Sequence, residues 1–115
     1  MTEECIFCKI AAGKLPGDIV YQDEGFIVFR DILPKAPTHL LIIPKIHITS
    51  VAELTDMQQA LAGHLIIIAK KLAEKEGIAK EGYRLVINCG PEGGQVVPHL
   101  HLHLIGGRQM EARLG

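Results

Sequence analysis

The chain has 115 residues, a length that suits one domain with a buried core. Hydrophobic residues make up 48% of it and charged residues 22%, a balance that is typical of folded proteins and excludes intrinsic disorder. The net charge of -1 gives no electrostatic reason to expect a nucleic acid or a membrane as the main partner.

The N-terminal residues give no sign of a secretory signal, because residues 1–4 are acidic and no apolar segment follows them. We therefore expect a cytoplasmic protein. The longest apolar run, residues 65–69, is much shorter than a membrane span. In a reducing compartment the three cysteines are expected to be thiols or metal ligands rather than disulfides.

Cys5 and Cys8 form a CxxC pair near the N-terminus. Two thiols at this spacing are able to bind one tetrahedral zinc ion or to form a redox pair, or they are small buried hydrophobic residues. The redox alternative requires a strand before the motif, and too little chain precedes Cys5 to form one. Zinc requires two more ligands, so the motif alone leaves zinc open.

Two short β-prone runs, residues 19–21 and 26–29, flank a loop with Gly25 and predict a hairpin. Asp31 follows the second run, either as a turn residue or as an acceptor for sugar hydroxyls at a pocket rim. Residues 38–45 are almost continuously apolar and predict a central third strand that His39 begins.

A long helix is predicted after Thr55, which forms a capping-box pattern with Gln58. It ends at Gly77. Residues 65–69 are apolar on every side, which predicts burial against a second subunit in a symmetric homodimer. His64, near the core face, is interpreted as a structural histidine. The predicted core stripe consists of Met57, Leu61, Leu65, Ile68 and Leu72.

A fourth strand is predicted over residues 83–88, and a glycine-rich loop, residues 89–95, follows it. Glycines let backbone N–H groups approach a ligand, so the loop is either an anion site or an ordinary connection. Its position directly before a histidine-rich segment favours the anion site. Cys89, at its start, is expected to be a small buried residue.

The last predicted strand contains His99, His101 and His103, half of the six histidines. Alternate side chains of a strand share one face, so the imidazoles form a row and the leucines between them point into the core. Neighbours in the row are about 6.6 Å apart, so one metal cannot bind all three. Either an adjacent pair binds a metal, or His101 attacks an electrophile such as phosphate.

Four groups of residues follow one another in the chain: Ala36-Pro37-Thr38-His39, Ile43-Pro44-Lys45-Ile46-His47, Gly93-Gly94-Gln95, and His99-Leu100-His101-Leu102-His103-Leu104 with Gly106-Gly107-Arg108-Gln109-Met110. Together and in this order they resemble the histidine-triad (HIT) family, and most closely its Hint branch, the purine nucleoside phosphoramidases. The resemblance implies an α+β fold in which a five-stranded antiparallel sheet carries one long and one short helix. It also implies a single HIT domain over residues 1–115 and a homodimer across the long helix.

The resemblance implies hydrolysis of nucleoside 5′-phosphoramidates, such as adenosine 5′-phosphoramidate, to a purine nucleoside monophosphate and an amine. His101 matches the nucleophile that forms a nucleotidyl-histidine intermediate, and no cofactor is needed for this step. The other positions that match the family's catalytic histidines are His103, His99 and His39. The positions that match its nucleotide-binding residues are Asp31, Ile32, Asn88, Gly94, Gln95 and Val96, together with His101 and His103.

Some bacterial HIT proteins bind a structural zinc ion through a CxxC pair and two histidines, and the resemblance implies the same role here for Cys5, Cys8, His47 and His99. Val96 differs from the serine that is common in Hint proteins, and residues 111–115 lack the Trp-containing ending of eukaryotic Hint proteins. Two alternatives to the phosphoramidase are a dinucleoside polyphosphate hydrolase, as in the Fhit branch, and a purine-nucleotide-binding scaffold with incidental turnover.

Overall fold

The computed structural model describes residues 5–114 and contains one antiparallel sheet and two helices. The elements are α1 (Ile6–Ala11), β1 (Ile19–Gln22), β2 (Phe26–Arg30), β3 (Thr38–Pro44), α2 (Gln59–Lys75), β4 (Tyr83–Val86) and β5 (Leu102–Gly106). The predicted α+β fold, with five strands, one long helix and one short helix, is confirmed. The acidic residues 1–4 lie outside the described residues.

The strand order is β1-β2-β3-β5-β4, and every neighbouring pair is antiparallel. The last strand in the chain therefore lies inside the sheet, between β3 and the edge strand β4. All seven residues of β3 are buried, as its continuous apolar sequence predicts. In the β3–β5 register, His39 lies opposite Ile105 and Leu41 lies opposite His103.

The two faces of the sheet carry separate apolar clusters, because alternate residues of a strand point to opposite faces. On one face α2 packs against residues such as Leu40, Ile42 and the three leucines of the histidine-rich segment. On the other face Phe7 and Ile10 of α1 pack against residues of β2 and β3. The histidines between those leucines consequently lie on the α1 face.

The helix α2 begins and ends close to the predicted points. Thr55 donates its N–H to Gln58 Oε1 at 3.0 Å, which forms one half of the capping box. Gly77, with φ of +78°, follows the last helical turn. Ile66 and Ile67 are 49% and 45% exposed in the single chain. Within the described part of the chain, no helix combines the length and apolar character that a membrane crossing requires.

Four predictions about burial and strand extent are wrong, the last of them in the histidine row. Met57 is 94% exposed, because it belongs to the 3-10 turn Asp56–Gln58, whose period of three residues takes it off the helical stripe. Cys89 is exposed, because it lies in the surface loop beyond the edge strand β4. The fourth strand ends at Val86 rather than at residue 88.

The strand predicted through the histidine row starts only at Leu102. The N–H of His99 donates to the Val97 carbonyl at 2.8 Å, and the N–H of Leu100 donates to the Ile48 carbonyl at 2.6 Å. These contacts bend the segment before the strand. The alternation of faces nevertheless persists, so the three leucines are buried in the α2 cluster.

A polar cluster joins the β1–β2 hairpin to α2. Asp23 Oδ2 accepts from the Tyr21 hydroxyl at 2.7 Å and lies 3.2 Å from His64 Nε2. Asp23 Oδ1 accepts from the N–H groups of Gly25 and Phe26 at 3.0 and 2.9 Å. Burial raises the pKa of Asp23, but the hydrogen bonds outweigh it and lower the pKa to about 2. His64 therefore has a structural role, as its position in the sequence indicates.

We expect Asp23→Asn to lower the free energy of unfolding by roughly 1–2 kcal/mol at pH 7, after allowance for partial solvent screening. Because the folded-state pKa of Asp23 is below its ordinary value of 3.8, its stabilising contribution is complete above that pH and disappears as the pH falls towards about 2. Urea unfolding of both proteins from pH 7 to pH 2 measures this difference.

The control is Glu24→Gln, which removes an exposed carboxylate from the same loop. Its unfolding free energy is expected to stay close to that of the wild type at every pH. An Asp23→Asn deficit that stays constant down to pH 2 would contradict the assignment to the Asp23 carboxylate.

Candidate active site

A cavity of about 540 Å³ opens on the α1 face of the sheet, within the range of small-molecule sites. The side chains of α1 and of the central strands supply an apolar wall: Ile6, Phe7, Ile10, Phe29 and Leu41. Polar groups from four separate segments converge on the same space: Asp31, Lys35, His39, Asn88, His101 and His103. The sheet thus brings together residues that are distant in sequence.

Most of the residues predicted to bind a nucleotide line this cavity: Asp31, Ile32, Asn88, Gly94, Val96, His101 and His103. Ile32 and Val96 are 90% and 89% exposed. Gln95 has a different role, since its side chain fixes the glycine-rich loop. Its Oε1 accepts from the Gly90 N–H at 2.9 Å, and its Nε2 donates to the Thr49 and Val97 carbonyls at 2.7 and 3.0 Å.

The backbone N–H groups of the glycine-rich loop mostly bond within the loop itself. Those of Gly93 and Gln95 donate to the Gly90 carbonyl at 3.1 and 3.0 Å, and that of Gly94 donates to the Pro91 carbonyl at 3.1 Å. These three amides are therefore engaged in the turn. The expectation that they form an anion site has no support in this geometry.

The backbone carbonyl of His99 holds the ring of His101 in place. Its Nδ1 lies 2.6 Å from the His99 carbonyl oxygen, which only accepts hydrogen bonds, so Nδ1 carries the proton. In the neutral form of this ring, which lines the cavity, Nε2 is then the unprotonated nitrogen. The Phe7 ring packs edge-on against this imidazole, with ring centroids 5.1 Å apart. A neutral imidazole fixed in this way is equipped to act as a nucleophile.

His39 and His103 form a directed hydrogen-bonded pair. The Lys35 N–H donates to His39 Nδ1 at 3.0 Å, so the proton of a neutral His39 is on Nε2. That nitrogen lies 2.9 Å from His103 Nδ1, which accepts, and His103 consequently carries its own proton on Nε2. Burial, reinforced by the neighbouring His101 and His39, lowers the pKa of His103 to about 4. Burial also lowers the pKa of His39.

Asp31 lies beside this pair, with Oδ2 3.4 Å from His39 Nε2, and the three side chains are close enough to surround a metal ion. A metal on His39 Nε2 would move the ring proton to Nδ1. There it would face the Lys35 N–H, and two donors would point at each other. The cluster therefore fits a hydrogen-bonded chain better than a metal site.

A second cluster fits a metal well. Cys5 Sγ lies 3.3 Å from His99 Nδ1, and Cys8 Sγ lies 3.2 Å from His47 Nδ1. One ligand atom from each of these four residues lies within 4.8 Å of the others. His99 Nε2 donates to the Pro44 carbonyl at 2.8 Å, which leaves the lone pair of Nδ1 towards the sulfurs. Such an outer hydrogen bond is typical of histidines that bind metals.

Without a cation the surroundings of Cys8 disfavour its thiolate form. Burial, together with the hydrogen bond and charge of Cys5, raises the pKa of Cys8 to about 11. His99 is completely buried and lies outside the lining of the cavity. The structure thus separates the histidine row, with His99 in the cysteine cluster and His101 and His103 at the cavity.

Sequence reasoning missed two contributors to the site. Phe7 stands inside the CxxC pair and packs edge-on against both His99 and His101. Lys35 acts through its backbone N–H, which fixes the proton of His39. The position of an apolar residue inside CxxC was a weak signal for Phe7. The contact of Lys35 is made by its backbone, so the sequence gives no signal for it.

The comparisons with known proteins agree with this geometry. The HIT domain family matches residues 12–110. A purine nucleoside phosphoramidase from Escherichia coli strain K12 is 51% identical over 110 residues, which cover 96% of this chain and 92% of that protein. The crystal structure of a HIT family hydrolase from Legionella pneumophila has a TM-score of 0.96 and 52% identity, and covers 97% of this chain and 100% of that chain.

A HIT family hydrolase from Clostridium thermocellum has a TM-score of 0.94 and 47% identity, with 97% of each chain covered. The family match covers most of the chain, and both solved structures are HIT family hydrolases. These findings agree with the resemblance of the sequence motifs. The chain therefore belongs to the HIT family.

Proposed function

We propose that this protein is a single-domain hydrolase that cleaves nucleoside 5′-phosphoramidates, such as adenosine 5′-phosphoramidate, to a nucleoside monophosphate and an amine. The observation that carries this proposal is the His101 ring, whose Nδ1 proton is bound by the His99 carbonyl while Nε2 keeps its lone pair. The 51% sequence identity to a purine nucleoside phosphoramidase from Escherichia coli supports the same class of substrate.

The cavity offers a place for each part of a purine nucleotide. The base packs against the apolar wall that Phe7 and Ile10 contribute, with Ile32 at its edge. Asp31 accepts hydrogen bonds from the ribose hydroxyls. Asn88 and the N–H of Val96, next to the glycine-rich loop, bind the phosphate, since the loop's own amides are engaged in its turn.

The reaction takes two displacements at phosphorus. His101 Nε2 attacks, the N–P bond to the imidazole forms, and the bond from phosphorus to the leaving nitrogen breaks. The leaving nitrogen takes a proton from water and departs as an amine. Water then attacks phosphorus, loses its proton to solvent and breaks the bond to His101, which releases the nucleoside monophosphate.

The surrounding groups support both displacements through fixed polar contacts. The imidazole becomes positively charged when it forms the intermediate, and the His99 carbonyl, 2.6 Å from Nδ1, stabilises that charge. His103 stays neutral at pH 7 because its pKa is lowered to about 4, so its Nε2–H is available to a phosphate oxygen. His39 fixes His103 in that tautomer.

We expect His101→Ala to reduce the hydrolysis of adenosine 5′-phosphoramidate at least about 10³-fold, because the attacking atom is lost. The test is mass spectrometry of denatured protein quenched during turnover. An AMP-sized adduct is expected on the wild type and none on His101→Ala. The control is His64→Ala, which removes an exposed histidine outside the cavity and should keep the adduct.

Rapid AMP release without an adduct would replace the covalent intermediate by direct attack of water. Absence of both AMP and adduct would refute the phosphoramidase proposal. If such a protein still bound AMP, it would be a nucleotide-binding protein without this activity.

We also propose that Cys5, Cys8, His47 and His99 bind a structural zinc ion. Two sulfurs and two imidazole nitrogens are a usual donor set for tetrahedral zinc, and the Nδ1 lone pair of His99 faces the sulfurs. Zinc would neutralise the two thiolates and fix α1, while catalysis would proceed at the separate His101 ring. The site would thereby stabilise the cavity wall that Phe7 provides.

Purified protein is therefore expected to contain about one zinc ion per chain, measured by inductively coupled plasma mass spectrometry. Cys8→Ser should lose most of it and unfold at least about 5 °C lower, since anchoring of α1 is lost. Cys89→Ser, which removes the exposed thiol, is the matched control and should retain both properties. Full zinc content in Cys8→Ser would overturn this ligand assignment.

The exposed apolar face of α2 supports a homodimer, which we propose as the assembled state. Ile66 and Ile67 are about half exposed, and Leu85 on the edge strand β4 is 37% exposed on the same side of the sheet. Exposed apolar residues on a helix are typical of a subunit interface, and so is a strand edge that pairs with no other strand of the described residues. A second copy of α2 would cover them.

We expect Ile67→Asp to convert a dimer into a monomer at micromolar concentration, because a carboxylate would be buried at the interface. Size-exclusion chromatography with light scattering measures the mass. Val51→Asp places the same charge on an exposed apolar residue outside α2 and should remain dimeric. A wild type that is monomeric under these conditions would contradict the proposal.

A further inference from the structure

A second cavity, of about 520 Å³, is lined by three arginines, Arg84, Arg108 and Arg113. Glu111 is the one carboxylate residue among the lining side chains in the described part of the chain. The lining is therefore positively charged. These arginines take no part in the two displacements at phosphorus.

The strand register places Arg84, one of the lining residues, close to His103 of the first cavity. Arg84 lies opposite Ile105, and Val86 lies opposite His103 in the β4–β5 pair. Opposite residues and alternate residues of a strand share a face, so Arg84 and His103 are diagonal neighbours with Cα atoms about 7–8 Å apart. Val86 and Ile105 line the first cavity, and Arg84 lines the second. The two cavities are therefore lined by neighbouring residues of β4 and β5.

Backbone contacts hold two of the arginines in place. Arg108 Nε donates to the Lys35 carbonyl at 2.9 Å and Nη1 donates to the Gln109 carbonyl at 3.1 Å. Arg84 donates from Nη2 to the Glu111 carbonyl. A guanidinium has five N–H donors, so these contacts fix each side chain and leave several donors for a ligand.

The carboxylate of Glu111 pairs with the third arginine of the lining, because its Oε1 accepts from Arg113 Nε at 2.7 Å. Arg84 and Arg108 therefore keep their positive charges without a carboxylate partner among the contacts of the described residues. A positioned guanidinium with open donors binds a carboxylate or a phosphate through two parallel hydrogen bonds.

We propose that this arginine-lined cavity binds an anionic group on the leaving amine, so the enzyme prefers phosphoramidates whose amine carries a carboxylate. The inference rests on the proposed hydrolase function, which puts phosphorus at His101 and one of its oxygens at His103. A flexible chain on the leaving nitrogen that runs back along the sheet past Ile105 would reach Arg84. The P–N bond breaks as before, and the amine departs with its carboxylate.

The test uses adenosine 5′-phosphoramidates of ω-amino acids of increasing length, from glycine upward, each paired with its uncharged primary amide. The measured quantity is the ratio of kcat/KM for the carboxylate to kcat/KM for the amide. For the wild type we expect this ratio to reach about tenfold at one favoured length, because a charge-assisted hydrogen bond distinguishes the two substrates.

In the double variant Arg84→Gln, Arg108→Gln the ratio should fall to about one at every length, whatever its absolute rate. Arg84→Lys keeps the positive charge but loses the paired N–H donors of the guanidinium, so it should retain part of the preference for the carboxylate. Lys71→Gln removes one exposed positive charge from α2, on the other side of the sheet, and should keep the wild-type ratio.

The outcomes separate this inference from the function on which it rests. Equal kcat/KM for carboxylate and amide at all lengths, with AMP released from both, would overturn the arginine site and leave the hydrolase proposal intact. A preference that survives in the double variant would also overturn it. Release of no AMP from any of the compounds would overturn both proposals.

Discussion

Backbone groups decide which nitrogen of each site histidine carries its proton. The carbonyls of Pro44 and His99 accept from His99 Nε2 and His101 Nδ1 at 2.8 and 2.6 Å, and the Lys35 N–H donates to His39 Nδ1 at 3.0 Å. Since a carbonyl only accepts and an N–H only donates, each ring has one consistent neutral tautomer. Similar imidazoles thereby present different groups: His99 a lone pair towards the cysteines, His101 a lone pair towards the cavity, and His39 an N–H that orients His103.

The short helix α1 couples the two parts of the site. Cys5 accepts from the Cys8 N–H at 3.3 Å at the start of this helix, and both sulfurs face His99. Phe7, between them, lies 6.0 and 5.1 Å from the ring centroids of His99 and His101. Whatever holds the cysteines in place also holds one wall of the cavity, because a six-residue helix has little stability of its own.

The sheet could be predicted because its alternation appears directly in the sequence. Leu102 and Leu104 point to the α2 cluster and His103 to the cavity, as period-two patterning requires. The extent of β5 could not be predicted, because the bend at His99 depends on a tertiary contact from Leu100 to Ile48. The cysteine–histidine cluster could be predicted only from the family resemblance, because its four residues lie in three distant segments and no local spacing links them.

The glycine-rich loop and the edge strand show why the remaining details exceed sequence reasoning. Glycines indicate a tight turn, but the turn uses the amides of Gly93 and Gly94 internally, so in the proposed reaction neighbouring groups bind the phosphate. Arg84 is an ordinary charged strand residue until the register sets it diagonal to His103. Residue types thus define the available chemistry, and pairing between distant strands determines which groups act on one substrate.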